Sequence, residues 1–158
     1  MKNCPQLKAL LNIFGGVTDL GYLEFHYQRF CLTKSFVFES DLPKPNKILD
    51  IGAHWIHQAV LYALDGNSVT AADLPGTFED PKVQQVAADY GITLHTYNDL
   101  STAEAFASFP EDTFDLILFT EILEHITFNP VEMWKSIYRI MQPGGRIILT
   151  TPNYYYIY

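Results

Sequence analysis

Five short apolar runs alternating with helix-like segments from Lys47 onward predict an α/β fold with a doubly wound, mainly parallel sheet. Two further observations support that class. The fourth run, FDLILFT (Phe114 to Thr120), is apolar without a break, as in a strand buried on both faces. Polar residues also gather at the carboxyl ends of the runs, where the crevice of such sheets lies: Asp50, Asp73, Asn98-Asp99, Thr120-Glu121 and Thr151 to Asn153.

The elements follow in order. PQLKALLNIF and LGYLEFHYQRFCLTKSFVFESDL predict two aromatic-rich helical pieces divided at Gly15-Gly16, and PKPN (Pro43 to Asn46) breaks the second. KILDIG is a strand, His57 to Leu64 a helix ending at Asp65-Gly66, and SVTAADL a second strand. PKVQQVAADYG is a helix stopped by Gly91, followed by ITLHTY as the third strand. Ser101 and Glu104 have capping-box spacing ahead of a short helix. After FDLILFT, Asn129 and Pro130 suit the N-cap and first position of a helix with Glu132 in its first turn. That helix carries Trp134, Ile137, Tyr138 and Met141 at helical spacing and is expected to stop at Pro143-Gly144-Gly145. RIILTT is the fifth strand. The expected division is a helical cap over 1–46 and a sheet domain over 47–158.

Composition narrows the partners. The 158 residues suit one sizeable core, and 48% hydrophobic with 18% charged residues excludes a disordered tail. A formal charge of −8, with ten Lys and Arg spread along the chain, offers no footprint for nucleic acid. Cys4 and Cys31 make neither a disulfide framework nor a zinc site. No signal-peptide pattern or membrane-length apolar run is present, so the expectation is a soluble cytoplasmic protein without membrane or nucleic-acid partners.

The chemistry is expected at the strand ends. Asp50-x-Gly52 closes the first strand, and Asp73 closes the second, where a carboxylate suits the two hydroxyls of a ribose. Asn98-Asp99, after the third strand, suits an exocyclic adenine amine. Taken together, ILDIG, VTAADL, YNDL, FDLILFTEILEH and IMQPGGRIILTTPN resemble the class I S-adenosylmethionine-dependent methyltransferases over about Lys47 to Asn153. The closest likeness is to the small-molecule branch whose fourth strand runs into E-x-L-E-H. The resemblance implies a Rossmann-like sheet and S-adenosyl-L-methionine as cofactor. It implies that Asp50, Gly52, Ala53 and His54 line the methionine end, and that Asp73 with Leu74 meets the ribose. Asp99 and Leu100 would then flank the adenine, and Thr120 and Glu121 lie near the sulfonium. It also implies amino-terminal helices folding over the cofactor, with Tyr22, Tyr27, Arg29 and Phe30 placed for such a lid or for packing.

Two features depart from that family. In LDIGAHWIHQA (Leu49 to Ala59), His54 and Ile56 stand where its first motif usually has glycines. A dinucleotide fingerprint fails there, since a pyrophosphate needs bare backbone, whereas S-adenosylmethionine carries no phosphate and needs close approach mainly at Gly52. The family's sheet also continues with two further strands, so a C-terminally truncated domain is expected, with Tyr154 to Tyr158 left as an orphaned apolar patch.

Methyl transfer from a sulfonium needs alignment and exclusion of water, plus a base when the acceptor is a hydroxyl. Glu121, Glu124 and His125 would share one face of a helical turn, and an imidazole, with its ordinary pKa of about 6.5, suits that base. His125 and Glu121 are therefore the candidate catalytic residues, acting on a hydroxyl or similar group of a small-molecule acceptor. Two alternatives stay open. E-x-x-E-H also resembles the metal-binding segment of terminal 2′-O-methyltransferases of small RNAs, although a further histidine of that family has no counterpart here. A non-catalytic domain that keeps the sheet for partner binding is the other.

Overall fold

A computed structural model describes residues 6–18, 20–38 and 43–153. Two helices come first, α1 (Leu7–Phe14) and α2 (Leu20–Phe38). Then β1 (Lys47–Ile51), α3 (His57–Ala63), β2 (Ser68–Asp73), α4 (Pro81–Asp89) and β3 (Thr93–Thr96) alternate. The series closes with β4 (Phe114–Thr120), α5 (Val131–Ile140) and β5 (Met141–Thr150), and short 3₁₀ turns punctuate the loops. The strands form one parallel sheet in the order β3-β2-β1-β4-β5. Chain direction across the sheet therefore reverses between β1 and β4, and the crevice of such a sheet opens above their carboxyl ends.

Side-chain alternation along β1 divides the core. Ile48 joins the cluster made by Leu10 and Phe14 of α1, Leu23 and Phe30 of α2, and Val60 and Leu61 of α3. Leu49 and Ile51 join the opposite cluster, with Ile117 and Phe119 of β4 and Met133, Ile137 and Ile140 of α5. The amino-terminal helices thus share one core with the sheet. The period of two places Asp50 on their side, beside Ile48. Asp115 sets the entry to β1, its carboxylate accepting the N–H groups of Asn46 and Lys47 at 3.0–3.2 Å. Asp80 caps α4 by accepting the N–H of Lys82 at 2.8 Å, with Pro81 at the first position.

Three local expectations are corrected. The Ser101–Glu104 capping box does not form. Asp99 instead accepts the N–H of Ser101, and the following Ala103–Phe106 turn has no side-chain cap. On α5, Asn129 does accept the N–H of Val131 at 3.2 Å, but the buried stripe is Met133, Ile137 and Ile140, while Tyr138 is exposed. A helix turns by about 100° per residue, so burial of Met133 together with Ile137 points Tyr138 outward. The helix also ends at Ile140 rather than at Pro143. Met141 already pairs with Phe114, and Pro143 to Gly145 form a bulge before Arg146 resumes opposite Leu116. Gly145 is required in that bulge, since an added Cβ would lie 2.6 Å from Met141 Cγ and 2.8 Å from the carbonyl oxygen of Gln142.

Among the described residues β5 pairs with β4 alone, and no helix is long and apolar enough to cross a membrane. Cys4, the end of the second helical piece (39–42) and Tyr154 to Tyr158 lie outside the described residues.

Candidate active site

A cleft of about 600 Å³ opens at the carboxyl ends of β1, β2 and β4. The candidate residues from the ends of the first four strands line it, in groups set by the loops that carry them, while Thr151 to Asn153 after β5 do not.

The β1–α3 loop supplies Gly52, Ala53 and His54. Gly52 takes φ +70°, and an added Cβ would stand 2.5 Å from Ile122 Cδ1, so the bare backbone is needed. Its N–H and that of Ala53 donate to the carbonyl of Ala72, tying the loop to β2. His54 (φ +47°) and Ile56 (φ +55°) are both left-handed. The loop therefore keeps a conformation that suits glycine while carrying side chains, at a cost of about 1–2 kcal/mol each. Burial offsets that cost for Ile56, which has no exposed surface. For His54 the offset is polar: its N–H donates to Asp73 Oδ2 at 2.7 Å, and its ring packs 4.3 Å from Trp55 and 4.9 Å from Tyr22. Partial desolvation lowers the His54 pKa, against the opposing pull of the Asp73 carboxylate.

Asp73 is held from both sides. Oδ1 accepts the N–H of Leu74 at 2.7 Å while Oδ2 takes that of His54, which fixes the carboxylate and leaves lone pairs toward the cleft. After β3, Tyr97, Asn98, Asp99 and Leu100 form the adjoining wall. Asp99 Oδ1 accepts the N–H of Ser101 at 2.8 Å, and its bonds to Ser101 hold its pKa below the ordinary value.

On the other side of β1, Asp50 is 2% exposed, and its Oδ2 finds no partner. Burial pushes its pKa up to about 7, with Arg29 pulling down and Asp73 pushing up. Arg29 Nε and both amide atoms of Gln58 are likewise buried without a partner, and all three side chains line the cleft. Of the four α2 residues considered for a lid, Tyr22, Arg29 and Phe30 line the cleft, while Tyr27 is buried in the core.

The β4 end is arranged differently from the expected helical face. Glu121 is left-handed (φ +57°), and the 3₁₀ turn covers Leu123 to His125 only, so Glu121, Glu124 and His125 do not share a helical turn. Glu121 Oε1 accepts the Thr150 hydroxyl at 2.8 Å, and Glu124 Oε2 accepts the Thr151 hydroxyl at 3.4 Å. No group of three His, Cys, Asp or Glu stands together as a metal shell among the described residues. Thr120, Glu121 and His125 line the cleft, and His125 is exposed at its rim.

The fold thus gathers all eleven candidate residues around one cavity and adds Gln58, Tyr97 and Ile122, which the motifs do not single out. The one sequence signal for Gln58 is the polar pair His57-Gln58 at the otherwise apolar start of α3. A fixed carboxylate at Asp73, a polar wall at Asn98 and Asp99, and partnerless donors and acceptors at Asp50, Arg29 and Gln58 fit a nucleoside joined to an amino acid. With side chains at His54 and Ile56, the loop offers no bare turn for a pyrophosphate.

Comparison with known proteins agrees. A family model described as a methyltransferase domain matches residues 22–157. A ubiquinone biosynthesis O-methyltransferase of Pseudomonas putida (strain W619) is 32% identical over 107 residues, covering 68% of this chain and 44% of the relative. The chain therefore spans less than half the length of the curated relatives it matches. Among solved structures, PH0226 protein from Pyrococcus horikoshii OT3 aligns with a TM-score of 0.63 at 20% identity, covering 88% of this chain and 63% of that one. A phosphoethanolamine N-methyltransferase of Haemonchus contortus, solved with S-adenosyl-L-methionine, aligns at 0.62 and 18% identity, covering 89% and 35%. The fold, the cleft and the family match carry one conclusion: this chain belongs to the class I methyltransferases, whose cofactor is S-adenosyl-L-methionine.

Proposed function

We propose that the cleft holds S-adenosylmethionine across the β1 and β2 ends, and that the chain is the cofactor-binding part (47–158, capped by 1–46) of an enzyme that methylates a hydroxyl of a small molecule. The observation that carries this reading is the Asp73 carboxylate, fixed by two backbone N–H groups at 2.7 Å beside the Gly52 loop. Asp73 accepts from the two ribose hydroxyls, Leu74 and Leu100 supply apolar contact, and Asp99 with Asn98 receives the adenine amine. Gly52, Ala53 and His54 admit the methionine end, and Asp50 accepts from its ammonium.

When bound, the cofactor supplies a methyl group already activated on a sulfonium. The chain's own contribution is alignment and exclusion of water. Thr120 and Glu121 border the reacting end, with Glu121 steadied by Thr150. His125, at the rim, accepts the acceptor's hydroxyl proton on a ring nitrogen as the methyl group moves in line. Tyr22, Trp55 and Phe128 close the cleft with aromatic surface. The curated relatives are named O-methyltransferases, which supports oxygen as the accepting atom. The acidic balance supports a small molecule rather than nucleic acid, and the cysteine content supports a cytoplasmic setting.

Isothermal titration with S-adenosylhomocysteine, with NAD as control, tests the reading. One-to-one binding of the first alone is expected, and binding of NAD alone would overturn it. Donor binding without turnover on a panel of phenols and alcohols would favour the non-catalytic alternative.

A further inference from the structure

Gln58 lines the cleft although no motif singles it out. Gln58 sits in the first turn of α3, is 4% exposed, and leaves both Nε2 and Oε1 without a partner. An amide buried in this way destabilises the fold, whereas a leucine of similar size would not. The same cleft is lined by Asp50, whose Oδ2 has no partner, and by Arg29, whose Nε has none. The donors are Gln58 Nε2 and Arg29 Nε, and the acceptors are Gln58 Oε1 and Asp50 Oδ2. Two donors and two acceptors lining one cleft, with Arg29 near enough to Asp50 to interact with it electrostatically, match a carboxylate beside an ammonium. The Tyr62 hydroxyl, one turn along α3, is also buried without a partner, but it does not line the cleft.

We propose that Gln58 is a cofactor-positioning residue that reads the amino-acid head of the methyl donor. Its Nε2 donates to the carboxylate alongside Arg29, and its Oε1 accepts from the ammonium alongside Asp50. This rests on the cofactor reading above and adds a residue to it. Gln58 touches neither the adenosine nor the transferred methyl group, so its effect is confined to ligands that carry the head.

The test compares S-adenosylhomocysteine with 5′-methylthioadenosine, which keeps the adenosine and sulfur but lacks the head, by titration calorimetry on the whole chain. Gln58→Leu is expected to weaken S-adenosylhomocysteine at least tenfold, the scale of one lost hydrogen bond to a charged group, and methylthioadenosine less than twofold. Gln58→Glu keeps an acceptor for the ammonium but sets a carboxylate against a carboxylate, and should weaken the first ligand as much or more. Thermal melts without ligand should show Gln58→Leu at least as stable as the parent. Gln58→Met, close in shape, serves if leucine does not fold. Equal loss for both ligands, or no loss for either, would overturn the role of Gln58 while leaving the cofactor reading intact. Failure of the parent protein to bind either ligand would overturn both.

Discussion

Replacing Asp50 with asparagine should flatten the pH dependence of folding stability. In the folded chain burial raises the Asp50 pKa to about 7 from an ordinary 3.8. Between those values the folded state holds the proton that the unfolded state has released, so stability falls as pH rises through that window and levels off above about 7. At about 1.4 kcal/mol per pH unit, the part of the window between about pH 5 and pH 8 corresponds to roughly 2.5 kcal/mol from this one carboxyl. Asparagine keeps the shape and cannot ionise. His26 and His54, whose pKa values are lowered mainly by burial, act in the opposite sense, adding stability as pH rises toward 6.5. They are present in both proteins and cancel in the difference. Urea unfolding of the parent and of Asp50→Asn at about pH 5 and pH 8 measures that difference. The parent should lose roughly 2.5 kcal/mol more than the variant between the two conditions. Parallel loss in both proteins would show that Asp50 ionises freely in the folded state and would refute the buried, partnerless carboxylate. Burial makes the Asp50 carboxylate costly when the cleft is empty and useful when a cation enters. S-adenosylhomocysteine at about pH 8 should therefore raise the melting temperature of the parent more than that of the variant.

Two further outcomes follow from the β1–α3 loop. His54→Gly should be about 1 kcal/mol more stable than His54→Ala in thermal or urea unfolding, because both lose the ring and only glycine fits φ +47° without strain; the reverse order would show that the loop is not left-handed there. Gly52→Ala, at φ +70° with its new Cβ against Ile122, should destabilise by about 1–3 kcal/mol and weaken S-adenosylhomocysteine. Adding Ile122→Ala should recover only the part due to the contact, and full recovery would show that the backbone conformation imposes no cost.

The sheet was legible in the sequence because buried parallel strands leave unbroken apolar runs, as FDLILFT does, and because Gly91 and the Pro45-Asn46 step mark element ends. The strand-end acids were legible for a topological reason: in a doubly wound sheet the carboxyl ends of the strands converge, so Asp50, Asp73 and Asp99 had to approach one crevice. What the sequence concealed depends on backbone conformation or on packing between distant segments. Left-handed turns at His54, Ile56 and Glu121 carry no glycine to announce them. Glu121, Glu124 and His125 have the spacing of one helical face, but the 3₁₀ turn begins only at Leu123. Arg29 and Gln58 join Asp50 in the lining of one cleft because α2 and α3 both cover the Ile48 side of β1, a relation that no local pattern encodes. Tyr138 had the spacing of a core residue, but helix α5 turns its Met133 and Ile137 side to the sheet instead.

Where the cofactor lies is decided by a structure of the chain with S-adenosylhomocysteine bound. Both ribose hydroxyls are expected within hydrogen-bond distance of the Asp73 carboxylate, the adenine against Leu100 and Asp99, and the amino-acid head over Gly52 toward Asp50. A ligand whose ribose turns away from Asp73, or one that lies outside the cleft between β1 and β4, would contradict it.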